Sequence, residues 1–228
     1  LQQTQKLLVG PLAVSPFEMH PLKMANSRLS LNEMSSGRAV IAMGAGEGNN
    51  DAMNLPRPPK VVRAVREAIE IVRGAGRGQL AKGYRGEDFQ VTYPCAYDWI
   101  KASPPLVYGT AYRGMMMRME ARVADGVYIG CTPPEVMAEA MAEVSEGAAK
   151  RAADMAPLKT NTFWAWHLKR DRKEGYRESR RELAWRARKL EAELLAHVLN
   201  PDEVRLVRDT YEKSVAAWFD RSCPILGM

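Results

Sequence analysis

The chain has 228 residues and a net charge of +6, with 46% hydrophobic, 26% charged and 7% aromatic residues. This composition excludes an intrinsically disordered chain, because the apolar fraction is normal and there is no low-complexity tract. It also excludes a transmembrane helix, because every apolar run is far shorter than the roughly 20 residues that a bilayer requires.

Short apolar segments alternate with amphipathic ones in the first part of the chain. Residues 7–14 predict a buried strand that ends in a proline-rich loop, and residues 21–34 predict a helix. A second short strand is predicted over residues 38–43, directly before the glycine-rich segment Gly44–Asn50. Residues 60–73 predict a strongly amphipathic helix, because their aliphatic positions fall on one face.

Residues 74–104 are rich in glycine, tyrosine and proline, which predicts an irregular insertion with a small hairpin between Tyr84 and Tyr93. Further strands are predicted at residues 105–108, 126–131 and 159–167, and helices at residues 113–123 and 132–153. Thr132 and Asn200 stand in the sequence pattern of helix N-caps, and long helices are predicted for the remainder.

About five short apolar strands separated by helices are typical of an α/β protein with a parallel sheet buried on both faces. Such a sheet belongs either to an open doubly wound fold or to part of a barrel, and hydrophobic periodicity does not distinguish the two. On the last predicted strand, Trp164 and Trp166 share one face, which favours a place in the core over the lining of a pocket.

The segment Gly44–Asn50 is a candidate ligand-binding loop, because ligands of parallel α/β folds bind at the carboxyl ends of strands. Its glycines permit a close approach of the backbone to a ligand, and Glu47 could hold a proton for transfer. The segment is not a dinucleotide-binding fingerprint, since Asn49 stands where that motif needs a glycine. A plain turn with a surface carboxylate explains the same residues equally well.

The segment Gly109–Gly114, between a predicted strand and a predicted helix, is a second candidate. Its small residues could offer backbone N–H groups and a helix N-terminus to a phosphate, with Arg113 adding positive charge. A tight strand-to-helix turn without a ligand is the alternative.

The first residues and the cysteines favour a cytoplasmic protein without a metal site. The start of the chain is mostly polar, and Gly10 and Pro11 interrupt the apolar stretch behind it, so we expect no signal peptide. The cysteines and histidines are scattered and form no ligand pattern, which predicts neither a disulfide framework nor a bound metal. These residues are Cys95, Cys131, Cys223, His20, His167 and His197.

Ten lysine and arginine residues crowd the segment 169–189, which would suit a nucleic-acid-binding face. However, Glu174, Glu178 and Glu182 interleave with them at helical spacing, which favours a solvated, ion-paired helix. We therefore expect no nucleic-acid partner.

Five segments, in order, resemble the luciferase-like monooxygenase superfamily, on its coenzyme F420-dependent side, to which methylenetetrahydromethanopterin reductases belong. Gly10–Pro21 looks like the third strand of that family and its loop ending in His-Pro. Leu31–Arg38 is similar to the TLDELSxGR signature, and Ile41–Glu47 to the LGxGAGE strand end. Arg66–Arg73 resembles the REAxEIxR helix, and Val123–Val127 the ADG strand entry.

The resemblance covers residues 7–153 and implies a (β/α)8 TIM barrel of the bacterial-luciferase type. Only strands three to seven of the eight are accounted for, and five strands cannot close such a barrel. We therefore expect residues 1–228 to form one partial barrel domain, with the insertion at about 74–104, and to be a fragment of a longer protein.

The resemblance also implies site residues. Leu12 and Ala13 fall where relatives have a non-prolyl cis peptide that backs the deazaflavin ring, and Ser15 falls at a cofactor contact. Glu47 matches the acidic residue that handles a proton, and Asn50 matches a polar cofactor contact. The phosphate loop is matched by Gly109, Thr110, Ala111, Tyr112 and Arg113, of which the last two replace the small residues usual there.

The function implied is hydride transfer between coenzyme F420 and a small organic substrate, in a cytoplasmic enzyme that could form a homodimer. An FMN-dependent monooxygenase of the same superfamily is the nearest alternative. A non-enzymatic, basic nucleic-acid-binding protein built on residues 169–189 is an alternative of another class, and it leaves the five ordered segments unexplained. The substrate itself cannot be read from the sequence.

Overall fold

A computed structural model provides the structure. It describes residues 4–56, 59–130, 132, 134–163, 166–187, 196, 199–206 and 208–209, without the side chains of residues 47, 51 and 180–187. The chain divides into two compact units, one made of residues 1–132 and 139–163 and the other of residues 133–138 and 164–228.

A four-stranded parallel sheet forms the centre of the first unit, with the order β1-β4-β5-β6. Its strands are β1 Val40–Met43, β4 Leu106–Ala111, β5 Gly126–Gly130 and β6 Lys159–Phe163. Each strand therefore pairs with the next parallel strand along the chain, without the reversal of order that a doubly wound sheet has. Hydrophobic periodicity did not distinguish a doubly wound sheet from part of a barrel. The observed strand order is that of a section of a barrel.

The segment Leu7–Val14 is not the buried strand that its composition predicts. It makes two isolated parallel bridges, Val9 to Ala39 and Val14 to Met43. Val9 and Val14 are five positions apart whereas their partners are four apart, so an extra residue interrupts the ladder. Leu7, Leu8 and Leu12 are exposed, because no described strand covers the other edge of this segment.

Helix α1, Pro21–Met34, has the predicted bounds, and His20 caps it through its Nδ1, which accepts the N–H of Leu22 at 3.1 Å. Helix α2, Glu47–Ala52, occupies part of the segment predicted as a loop. Helix α3, Val61–Ala75, and helix α4, Gly114–Val123, lie within two residues of the predicted bounds.

Helix α5, Met137–Ala148, follows a 3-10 turn at Pro134–Val136 and ends five residues before the predicted end. The Thr132 hydroxyl, predicted as an N-cap, donates to the carbonyl of Gly130 at 3.2 Å instead.

In the second unit, helix α6 spans Arg172–Ala187. Residues 201–206 are also helical, and Asn200 caps them as predicted. Its Oδ1 accepts the N–H groups of Asp202 and Glu203, both at 3.0 Å, while Glu203 accepts the N–H of Asn200 at 2.9 Å. This reciprocal pair is a capping box.

The hydrophobic core lies between the sheet and the helices α1, α3 and α4. Leu29, Ile69, Val72 and Val107 are fully buried there, and each contributes roughly 1.5–3 kcal/mol to folding. The prediction for Trp166 is wrong, since this side chain is 78% exposed, and Trp164 lies outside the described residues. Strand β6 ends at Phe163, not at residue 167, and all five of its residues are exposed because it is the last described strand of the sheet.

The insertion contains the predicted hairpin, formed by β2 Tyr84–Arg85 and β3 Gln90–Val91. Its turn is bound to α3. The buried carboxylate of Glu67 accepts the N–H groups of Glu87, Asp88 and Phe89 at 2.9–3.0 Å. Within the described residues, no helix is long and apolar enough to cross a membrane.

Candidate functional site

The carboxyl ends of the parallel strands bring three of the predicted segments together. Val14, the last residue of the segment Leu7–Val14, forms a bridge with Met43 at the end of β1. Met43 in turn pairs with Gly109 of β4. Ligands of parallel α/β folds bind at this edge. The segments that contain Ser15, Gly44–Asn50 and Gly109–Arg113 therefore lie side by side, as the resemblance implies.

The peptide bond between Leu12 and Ala13 is cis, which confirms the geometry that the resemblance predicted. It lies between two hydrogen bonds to the same residue of β1. Ala42 donates to the carbonyl of Pro11 at 3.2 Å and accepts the N–H of Val14 at 2.9 Å. Both residues of the cis bond are exposed at the edge of the first unit.

Ser15 holds the first loop against the turn that follows β1. Its side chain is fully buried, and its hydroxyl donates to the carbonyl of Ala45 at 3.0 Å and accepts the N–H of Phe17 at 3.3 Å. In this structure the hydroxyl of Ser15 therefore stabilises the loop, and its contact with a cofactor stays a prediction.

The turn at Gly44–Gly46 is packed on both sides, which explains its glycines. A Cβ atom on Gly44 would lie 2.2 Å from Oγ1 of Thr110, and a Cβ atom on Gly46 would lie 2.2 Å from Cβ of Ser15. Gly46 also has a φ of +68°, which side chains other than glycine rarely adopt. The glycines thus allow the three segments to approach one another.

Helix α2 begins at Glu47, one residue after this turn, so the second half of the predicted loop is helical. The side chain of Glu47 lies outside the described part of the chain. Asn50, one turn later, is buried, and its Nδ2 donates to the carbonyl of Ala45 at 3.0 Å. Its Oδ1 is buried without a hydrogen-bond partner among the described residues.

The predicted phosphate loop is shorter than expected. Gly109, Thr110 and Ala111 belong to β4, because β1 pairs with this strand as far as Gly109 and β5 as far as Ala111. Only Tyr112 and Arg113 connect it to α4. Arg113 occupies the N-cap position of α4, and its side chain makes no capping hydrogen bond. The carboxylate of Glu143 lies beside the first residue of α4, since a Cβ atom on Gly114 would come within 2.8 Å of both its oxygens. The N-terminus of α4 is therefore next to a negative charge of the protein itself.

Glu120 is a buried acid that sequence reasoning missed. It lies on α4 behind Gly109, where a Cβ atom would come within 2.3 Å of its Cδ. The side chain is fully buried, and burial raises its pKa well above the ordinary value, opposed only in part by the backbone of Thr110. The signal available was an isolated glutamate in the methionine-rich stretch of α4.

The opposite, amino edge of the sheet carries a structural ion cluster. Asp125, which precedes β5, accepts hydrogen bonds from Arg73 at 2.8 Å, from Arg77 at 3.0 Å and from the N–H of Val107 at 3.0 Å. Burial raises the pKa of Asp125, but these donors and charges outweigh it and lower the pKa overall. Nearby, burial and Arg77 lower the pKa of Arg28 to about 9.

A groove of about 730 Å³ lies among α3, α4 and the end of α5. Six cationic side chains line it, and none of its lining residues belongs to the predicted cofactor set. These are Lys60, Arg63, Arg66, Arg118, Arg122 and Lys150. Arg63, Arg66, Arg118 and Lys150 form ion pairs with carboxylates of the protein, so most of this charge is already compensated.

The basic segment lies in the second unit. Lys169 forms ion pairs with Glu178 at 2.8 Å and Glu174 at 3.8 Å, which agrees with the ion-paired interpretation at this end of the segment. The side chains of residues 180–189 lie outside the described part of the chain.

Known proteins match most of this chain. The family described as luciferase-like monooxygenase matches residues 1–220. A curated 5,10-methylenetetrahydromethanopterin reductase of Archaeoglobus fulgidus is 27% identical over 212 residues, which are 91% of this chain and 62% of that protein. An F420-dependent glucose-6-phosphate dehydrogenase of Nakamurella multipartita is 25% identical over 224 residues, or 95% of this chain and 65% of that protein. The chain thus spans less than two thirds of the length of these relatives.

The solved structure of the coenzyme F420-dependent tetrahydromethanopterin reductase from Methanopyrus kandleri superimposes with a TM-score of 0.67 at 22% identity. The match covers 81% of this chain and 57% of that structure. This likeness concerns the fold. The consecutive parallel segments described above are an open section of a luciferase-type (β/α)8 barrel, which confirms the fold class expected from the sequence.

Proposed function

The chain belongs to the luciferase-like monooxygenase family, and from this membership we propose that it carries the cofactor site of an oxidoreductase that transfers a hydride between coenzyme F420 and a small organic substrate. The proposal concerns the whole protein, of which this chain accounts for part of the length seen in relatives. Relatives named for F420-dependent dehydrogenation and for methylenetetrahydromethanopterin reduction support it.

The observation that carries the proposal is the packed turn at the carboxyl edge, with its unpaired acceptor. Ser15 and Asn50 both donate to the carbonyl of Ala45, which fixes the turn, while Oδ1 of Asn50 has no donor among the described residues. A buried acceptor without a donor is costly, so this edge suits a ligand that brings an N–H or O–H group. Deazaflavin and flavin rings both carry such a group.

Glu47 and Asn50 are three positions apart on α2 and therefore lie on the same side of that helix. We assign Glu47 the task of giving or taking the proton that accompanies turnover, and Asn50 the task of holding the ring. Coenzyme F420, when bound, supplies the two-electron hydride chemistry. The cis peptide of Leu12 and Ala13, followed by Ser15, forms the neighbouring segment at this edge.

The phosphate of the cofactor is assigned to the start of α4. The N–H groups of its first turn and the charge of Arg113 support this assignment, and Gly109, Thr110, Ala111 and Tyr112 lead to that position. The carboxylate of Glu143 lies beside Gly114 and has to move aside for a phosphate to bind there. The same site would accept the phosphate of FMN. The flavin monooxygenase therefore remains the second candidate, and the experiment below separates the two.

The experiment is a titration of the protein with F420 and, in parallel, with FMN, followed by fluorescence quenching. We expect F420 to bind at micromolar strength or better, and Glu47→Gln to leave binding largely intact while slowing turnover. Tighter binding of FMN would move the protein to the flavin-dependent enzymes, and binding of neither would contradict the proposal. The homodimer and the cytoplasmic location also stay predictions, which sedimentation and cell fractionation test.

A further inference from the structure

Glu18 is a carboxylate at the carboxyl edge to which no role has yet been assigned. It follows Ser15 by three positions, and its N–H donates to the carbonyl of Ser15 at 3.1 Å. An ideal Cβ atom on Gly46 would lie 2.8 Å from Oε1 of Glu18 and 2.6 Å from Oγ of Ser15. The carboxylate thus reaches the glycine that directly precedes Glu47 and α2.

Among the described residues, this carboxylate oxygen has no partner that explains its position. Oε1 of Glu18 is buried, and it accepts no hydrogen bond within the described part of the chain. No described lysine, arginine or histidine forms an ion pair with it. It does not cap α1 either, because His20 holds that position. Glu18 as a whole is only half-buried, so the cost falls on this one oxygen: an acceptor that is removed from water and left unpaired costs free energy.

Asn50 presents a second acceptor of the same kind. Its Oδ1 is also buried and unpaired, and its amide is bound to Ala45, the residue before Gly46. Two buried acceptors without a donor among the described residues therefore lie near the turn Ala45–Gly46. One belongs to Glu18, before the turn in the sequence, and the other to Asn50, after it. Neither is needed to hold the turn, since Ser15 Oγ and Asn50 Nδ2 already do so through the Ala45 carbonyl.

We propose that Glu18 is a further cofactor-binding residue, whose carboxylate accepts a hydrogen bond from an N–H or O–H group of the bound cofactor beside Gly46. This inference rests on the proposed function and adds a contact to it. Glu18 positions the cofactor and takes no part in moving its electrons.

The test compares Glu18→Ala and Glu18→Gln with the wild type, and uses Glu139→Gln, an exposed glutamate of α5, as the matched control. The dissociation constant of F420 is measured by fluorescence quenching, and the melting temperature is measured with and without F420. We expect Glu18→Ala to weaken binding by about 10- to 100-fold, which is typical for the loss of a charged acceptor. Glu18→Gln should weaken it less, and the control should leave it unchanged.

The melting temperature of the ligand-free protein distinguishes a binding role from a structural one. We expect it to be unchanged or raised in Glu18→Ala, because an unpaired acceptor is removed, and unchanged in Glu18→Gln, which keeps an oxygen acceptor and loses only the charge. In both variants the rise caused by F420 should shrink. A lower melting temperature without F420, or unchanged affinity in Glu18→Ala, would overturn the inference and leave the proposed function intact. If the wild type binds neither F420 nor FMN, the proposed function and this inference are both wrong.

Discussion

Oε2 of Glu67 on α3 accepts the backbone N–H of Asp88, in the turn of the inserted hairpin, at 2.9 Å. The same carboxylate also accepts the N–H groups of Glu87 and Phe89. Gly86 permits this contact, since a Cβ atom there would lie 2.2 Å from Oε2 of Glu67. One buried acid therefore ties an irregular insertion to a core helix, and Arg63 adds an exposed ion pair to Asp88 at 2.6 Å.

We expect Glu67→Ala to destabilise the protein by at least about 2 kcal/mol, because each buried N–H left without an acceptor costs about 1–3 kcal/mol. Urea unfolding measures the loss, and hydrogen exchange at residues 87–89 should accelerate. Glu139→Gln on the surface is the control. Exchange at residues 87–89 that stays as slow as in the control would contradict the anchoring role of Glu67.

Gly46→Ala and Gly78→Ala form a matched pair, because the two glycines have φ values of +68° and +70°. A Cβ atom on Gly78 would meet nothing within 4 Å, so its replacement should cost only the roughly 1–2 kcal/mol of a left-handed backbone. Gly46→Ala should cost about 1–3 kcal/mol more, since its Cβ would collide with Ser15. Urea unfolding measures the free energy of unfolding of both variants. Equal losses would show that the left-handed backbone alone requires a glycine at Gly46, and that the contact with Ser15 does not matter.

Glu120 should make the protein less stable as the pH rises. Burial raises its pKa in the folded state, so the native protein keeps a proton that the unfolded chain releases above its ordinary pKa of 4.5. The stabilising effect of this proton is therefore complete below that value and declines as pH increases toward the raised pKa.

Glu120→Gln removes this titration while it preserves the shape of the side chain. We expect the variant and the wild type to be similar at pH 4 and the variant to gain relative stability at pH 6 and pH 8, measured by urea unfolding. A difference between the two proteins that does not change with pH would contradict a proton held at Glu120.

Asp125 should have the opposite pH dependence. Burial opposes its ionisation, but Arg73, Arg77 and the N–H of Val107 lower its pKa overall. Its contribution is therefore present above the ordinary pKa of 3.8 and is lost as pH falls through the lowered value. Asp125→Asn should cost about 2–4 kcal/mol at neutral pH, because it leaves the partly buried arginines without a counter-charge.

Urea unfolding between pH 2 and pH 7 measures this effect, and Glu146→Gln serves as the control. Glu146 pairs with Lys150 on the exposed side of α5, so we expect no measurable loss there. If the two variants lose the same amount, the cluster at Asp125 is no stronger than a surface ion pair.

Elements whose signals are local were predictable from the sequence. Helix α1 has the predicted bounds because a proline begins it and Ser-Ser-Gly ends it, and the capping box at Asn200 depends on four consecutive residues. The hairpin was found because glycine and aromatic residues mark its turn and strands. The cis peptide at Leu12 and Ala13 was expected only through the family resemblance.

Elements whose limits depend on neighbours were predicted less well. Strand β4 is longer than its apolar run because β5 pairs with it as far as Ala111, so three residues of the expected phosphate loop belong to the sheet. Leu7–Val14 fails to form a regular strand because one of its edges is uncovered and its register slips by one residue. The local sequence does not show how far a strand pairs or in which register, because the pairing partners are segments far away in the chain.

The sequence by itself determined the α/β class, the order of the segments and the family, since these follow from hydrophobic periodicity and from short ordered motifs. Through the family resemblance it also predicted Ser15, Glu47 and Asn50 as site residues, and these stay predictions. Only the tertiary structure decided that the hydroxyl of Ser15 donates to the carbonyl of Ala45, that Oε1 of Glu18 is buried without a donor among the described residues, and that Glu120 lies behind Gly109. Hydrogen-bond partners and burial depend on contacts between distant segments, and such contacts exist only after the chain has folded.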